Sequence, residues 1–108
     1  MKVLFPEKAI LIVDDEEDTL DSDKMALQFE GISNIILCLD SEKCVDILAR
    51  NEIPVALIDL LMPGVTGLEI LKHIREKYPH ISVIVVTASN NVTSTVDCMK
   101  AGAFDITP

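Results

Sequence analysis

Short apolar, β-branched runs recur at regular intervals along this chain, and helix-compatible stretches separate them. The runs are Lys8-Ala9-Ile10-Leu11-Ile12-Val13, Asn34 to Leu39, Val55-Ala56-Leu57-Ile58 and Ile81 to Val86. Ala103-Phe104-Asp105-Ile106 begins a fifth. Runs of this length without polar alternation read as strands buried on both faces. Between them lie Thr19 to Glu30, Glu42 to Asn51, the segment from Thr66 to the residue before Pro79, and Val92 to Lys100. The order is β-α-β-α-β-α-β-α-β with short connections. That order specifies an α/β chain with a parallel sheet covered by helices on both faces.

Local signals set the helix ends. Gly31 stands just past the first helical stretch, as a C-terminal glycine does. Asp40-Ser41 can cap the second, whose apolar face is Cys44, Val45, Ile47 and Leu48. Thr66 and Glu69 have capping-box spacing, and Leu68, Ile70, Leu71 and Ile74 follow on the core side. Asn90-Asn91 can cap the fourth, with Val92, Val96 and Met99 as its apolar positions.

What closes the runs carries the chemistry. The first ends in Asp14-Asp15, the third in Asp59, and the fourth in Thr87-Ala88-Ser89. In open parallel sheets the ligand site lies at the carboxyl ends of the strands, so Asp14, Asp15, Asp59 and Thr87 fall at one edge. Three carboxylates at one edge repel each other unless a cation joins them. An oxygen-only donor set without His or Cys selects a hard ion, Mg2+ first, with Mn2+ able to substitute. A carboxylate beside such an ion can accept a phosphoryl group as an aspartyl phosphate. Thr87 offers a hydroxyl to a phosphoryl oxygen. A calcium loop does not fit, since Thr19 stands where an EF-hand needs Gly and Met25 where it needs Glu.

Charge and composition exclude other classes. Eighteen acids against nine bases give a net charge of -9, with no basic patch for nucleic acid. The 49% hydrophobic content supports one core in a chain of 108 residues. Cys38, Cys44 and Cys98 are scattered and form no zinc pattern, so they read as buried free thiols. With no signal peptide and no apolar run of membrane-spanning length, the chain reads as soluble and cytoplasmic, with no membrane partner. His73 and His80 read as surface residues without a phosphate cradle.

The pieces ILIVDDEED, VALIDLLMPGVTGLEIL, VIVVTAS and AGAFD, in this order, resemble the receiver domain of two-component response regulators. TSTVDCMKAGAFD resembles receivers of nitrogen-regulatory-type activators. The resemblance implies a flavodoxin-like, doubly wound, five-stranded parallel sheet in the order 2-1-3-4-5, with residues 1–108 as one receiver domain. It implies that Asp59 is the phosphoacceptor, taking its phosphoryl group from the phosphohistidine of a histidine kinase or phosphotransfer protein. Asp15, Asp59 and the backbone carbonyl of Leu61 would bind Mg2+ directly, and Asp14 would act through metal-bound water. Thr87 would hydrogen-bond the phosphoryl group and act as the switch, and the small Ala88 would leave room for its approach. Partners would be that kinase and an output domain in cis or a separate protein, with a homodimer as a further expectation. No enzymatic turnover is implied beyond phosphorylation and slow dephosphorylation of Asp59 itself.

Two departures qualify the resemblance. The Lys that the family places before a Pro after the fifth strand is missing. The ungapped alignment, preferred here, puts Pro108 just before the position of that Lys, Ile106 where an aromatic switch residue usually stands, and the fifth helix beyond the chain. The gapped alternative puts Thr107 in place of the Lys. These departures favour a second reading, a degenerate receiver serving as a constitutive docking or dimerisation module. A dehalogenase-type phosphohydrolase is a third, disfavoured because Leu61 stands where its second Asp belongs.

Overall fold

The computed structural model describes residues 6–60, 62, 64–86, 100, 102, 103 and, for the backbone, 105–107. Its elements are β1 (Ile10–Val13), α1 (Glu17–Phe29), β2 (Ile35–Cys38), α2 (Cys44–Arg50), β3 (Val55–Asp59), α3 (Gly67–Lys77), β4 (Ser82–Val86) and β5 (Asp105–Thr107). A 3-10 turn, Ser41–Lys43, leads into α2. The strands lie parallel in the order β2-β1-β3-β4, and β5 pairs with β4 by backbone at the far edge. The crossing from β1 outward to β2 on one side and to β3 on the other opens the crevice where the acidic residues sit.

One face of the sheet holds the main core. Leu11, Val13, Ala56, Ile58, Val83 and Val85 form two rows across β1, β3 and β4. Cys44 and Leu48 of α2 and Ile70, Leu71 and Ile74 of α3 pack on them, all buried. On the opposite face Ile10 and Ile12 are buried, but Val55, Leu57, Ile84 and Val86 are half-buried. The expectation of strands buried evenly on both faces is therefore corrected for β3 and β4, which alternate. Apolar residues at every position do not by themselves require equal cover on both sides.

The helices are set by local chemistry. The end of α1 is closed by the Ile32 N–H donating to the Leu27 carbonyl (2.9 Å) and the Gly31 N–H donating to that of Gln28 (3.0 Å). This closure needs the left-handed backbone that Gly31 adopts, φ +89°. Thr66 caps α3 by accepting from the Glu69 N–H at 3.2 Å, and its hydroxyl donates to the Glu69 carboxylate at 3.3 Å. Arg75 ties the end of α3 to β4, donating to the carbonyls of Pro79 and Ile81.

Several boundaries differ from the sequence reading. The second helix begins at Cys44, because Asp40 accepts from the Glu42 N–H (3.0 Å) and tightens the first turn into a 3-10 turn. Val45 is correspondingly turned out and exposed, so the apolar face of α2 narrows to Cys44 and Leu48 with Ile47 half-buried. The last strand starts at Asp105 rather than Ala103. His73, expected at the surface, is half-buried against the Tyr78 ring, whose centroid lies 6.1 Å away. The fourth helix, apart from Lys100, and Cys98 lie outside the described residues.

Candidate metal and phosphoryl site

The site is built by two strand ends. β1 delivers Asp14, directly after Val13, with Asp15 behind it, and its neighbour β3 delivers Asp59, directly after Ile58. The pairing of Val13 with Ile58 brings the two strand ends level. One carboxylate oxygen from each of Asp14, Asp15 and Asp59 lies within 4.8 Å of the others. Residues 45 positions apart in the chain thus share one pocket of negative charge.

The three acids are not equivalent. Asp14 is buried, Asp59 half-buried and Asp15 exposed. Asp14 is fixed twice. Its Oδ1 accepts from the Glu16 N–H at 2.9 Å, and its own N–H donates to the Cys38 carbonyl at 3.1 Å. The carbonyl bond anchors its backbone to the end of β2; the Glu16 bond fixes the turn from β1 into α1. Burial pushes the Asp14 carboxyl above the ordinary carboxylate range, with the Glu16 N–H opposing and the charges of Asp15, Glu16 and Asp23 adding to the rise. Burial raises Asp23 in the same direction.

Asp59 is positioned by the turn behind it. The Leu60 N–H donates to the Val86 carbonyl (3.0 Å), and the Gly67 N–H donates to the Leu60 carbonyl (3.2 Å). The start of α3 therefore abuts the peptide that follows Asp59. A Cβ on Gly67 would stand 2.7 Å from Leu60 Cα and closer still to the Asp59 carbonyl oxygen. Only glycine lets the helix approach so near. Sequence reading placed Gly67 merely in a loop; the contact that requires it joins residues brought together by folding.

The donor set fits a hard divalent cation. It consists of oxygens alone, one of them on a carboxyl whose pKa is raised first by burial and then by the neighbouring negative charges. Asp14, Asp15 and Asp59 are brought together as the sequence indicated. Leu61, Thr87 and Ala88 lie outside the described residues, as do Pro108 and the side chains of Ile106 and Thr107.

The family model for the response regulator receiver domain matches residues 10–107. The chain belongs to this family. The receiver shares 32% identity over 99 residues with the response regulator MprA of Mycobacterium sp. (strain KMS), covering 92% of this chain and 43% of that protein. It shares 36% identity over 96 residues with a cyclic di-GMP phosphodiesterase of Thermotoga maritima, covering 89% of this chain and 25% of that protein. Its fold matches a CheY-like receiver domain from Methanospirillum hungatei at a TM-score of 0.85 and 30% identity, over 93% of this chain and 79% of that one. The chain spans less than half the length of these curated relatives.

The fold is thus a flavodoxin-like α/β fold with a parallel sheet. The function is that of a receiver in two-component signalling, a phosphoacceptor module. Receivers are not enzymes apart from their own phosphorylation, and the family holds Mg2+ at an acidic cluster of the kind formed here. Among the described residues, no helix is long and apolar enough to cross a membrane.

Proposed function

We propose that Asp59 is the phosphoacceptor and that Asp14, Asp15 and Asp59 hold one Mg2+. The observation that carries this reading is the convergence of the three carboxylates within 4.8 Å. When bound, the ion offsets negative charge on the carboxylates and on the incoming phosphoryl oxygens. Asp14, the most buried, presents its carboxylate from a rigid turn and has the most to gain from that charge. Asp59, at the strand end and half-buried, keeps an approach for the donor. Its carboxylate oxygen attacks phosphorus, the bond to the donor's imidazole nitrogen breaks, and that nitrogen recovers a proton. Gly67 and the Leu60 hydrogen bonds hold the Asp59 backbone still during the transfer.

The Leu61 carbonyl completes the metal set in this reading, Thr87 receives the phosphoryl oxygen, and Ala88 leaves space beside it. Asp105–Thr107 serves as the fifth strand of the family order 2-1-3-4-5, which its backbone register against β4 supports. A histidine kinase or phosphotransfer protein is the donor, and an output domain or separate protein reads the result. Incubation with acetyl phosphate and Mg2+ followed by intact mass measurement tests the assignment. One added phosphoryl group is expected, absent from Asp59→Asn and absent with EDTA. An adduct that survives Asp59→Asn would place the acceptor elsewhere.

A further inference from the structure

At the amino ends of the strands, away from the acidic site, lies a cavity of about 450 Å3. Lys8 stands two residues before β1, Pro54 directly before β3 and His80 two residues before β4, and all three line it. The volume falls within the roughly 300–1,000 Å3 span of small-molecule sites. Phosphoacceptance at the other end of the sheet makes no use of it.

The walls are held in place by the fold. Leu48 and Ile53 line the cavity with apolar surface, and both belong to the buried core. The Ser82 N–H donates to the Pro54 carbonyl (3.0 Å), tying the connection between α2 and β3 to the start of β4. The Ile81 N–H donates to the Tyr78 carbonyl (3.0 Å), and Arg75 donates to the carbonyls of Pro79 and Ile81. The connection between α3 and β4 is therefore fixed as well. A site already held in shape loses little to ordering when a guest enters.

Two features of the lining select that guest. The first is a pair of rings. Tyr78 and His80 both line the cavity, with centroids 6.5 Å apart and planes at 81°. A flat ring between them can stack on one and meet the other edge-on, the two arrangements that aromatic groups prefer. The second is charge. On a chain of net charge -9, the described lining carries Lys8, Arg50 and His80 against Glu52 alone. Lys8 pairs with Glu52 at 2.8 Å and Arg50 with Asp46 at 3.0 Å, and all four side chains are largely exposed. Exposed pairs of this kind are weak, so a carboxylate on the guest can share either cation.

We infer that this cavity is a binding site for a small planar aromatic acid, its ring against Tyr78 and His80 and its carboxylate toward Lys8 and Arg50. The site shares no residue with the acidic cluster, so it stands independently of the Asp59 assignment.

Amide NMR titration of the isotope-labelled chain with indole-3-acetate tests this. Saturable shifts should centre on Leu48 to Ile53, Tyr78 and His80, with a dissociation constant on the order of 1 mM. The neutral indole-3-acetamide should bind roughly fivefold more weakly. Lys8→Ala combined with Arg50→Ala should abolish that preference for the acid and leave the affinity for the amide unchanged. His80→Ala should weaken both ligands. These positions are exposed, so the variants keep the fold, which the unperturbed remainder of each spectrum verifies. Cyclohexylacetate, of similar bulk but not flat, should bind several-fold more weakly than indole-3-acetate. Equal binding of acid and amide would overturn the role of the cations, and equal binding of cyclohexylacetate would overturn the role of the rings. Shifts centred on the exposed Met25 and Phe29 of α1, or no saturable shifts up to about 10 mM, would overturn the site.

Discussion

Replacing Asp14 by Asn should make the metal-free receiver more stable and the Mg2+-loaded one less so. The substitution removes one charge from a cluster whose oxygens lie within 4.8 Å of each other. Two unit charges at that distance repel by about 0.9 kcal/mol in bulk water and about 3.5 kcal/mol at an effective dielectric of 20. Asp14 is buried and Asp15 is exposed, so the gain lies between these limits, about 1–2 kcal/mol. Asn keeps an Oδ1 for the Glu16 N–H, so the turn into α1 keeps its bond. For a domain of this size the melting temperature in EDTA should rise by about 4–8 °C. With Mg2+ at a hundred times its dissociation constant, the wild type gains about 2.7 kcal/mol by mass action, most of which the variant forgoes. The two melting curves should therefore exchange order between EDTA and saturating Mg2+. A variant less stable than wild type in EDTA, or one gaining as much from Mg2+, would refute the reasoning.

Other expectations follow from the same geometry. Asp14 and Asp23 have folded-state pKa values raised above their unfolded ones, so the folded chain binds more protons. Their contribution to stability is present below the ordinary carboxylate range and lost as pH rises through the folded values. In EDTA, the difference in urea midpoint between Asp14→Asn and wild type should widen as pH rises from about 4 to 7; a constant difference would remove Asp14 as the cause. Gly67→Ala should cost about 1–3 kcal/mol in urea melts, because its methyl group meets the Asp59–Leu60 peptide. It should also slow acetyl-phosphate labelling of Asp59, and a stable variant labelled at the normal rate would show that the backbone contact does not position the acceptor.

The sequence made the strand ends legible because each acid follows directly on an apolar run. A run that must be buried, closed by a carboxylate, fixes where in a parallel sheet that carboxylate emerges. Thr66 and Glu69 were legible for a similar reason, since a cap is a contact between near neighbours. What escaped reading involved choices made by packing. Val45 sits in an apolar stretch, yet the 3-10 turn at Ser41–Lys43 rotates α2 enough to leave it in solvent. β3 and β4 read as uniformly buried, but their two faces receive different cover. The demand for glycine at 67 and the bond from Asp14 to the Cys38 carbonyl join segments distant in the chain, and neither leaves a local pattern. Phe29, 89% exposed on α1, shows how little a single aromatic residue says about burial.

The central claim is that Asp14, Asp15 and Asp59 grip one divalent ion together. Paramagnetic broadening of amide resonances by substoichiometric Mn2+ tests it residue by residue. The account predicts losses of signal centred on these three residues, with excess Mg2+ restoring them. Broadening centred on the acids of α1, from Glu17 to Asp23, with Asp59 unaffected, would contradict it.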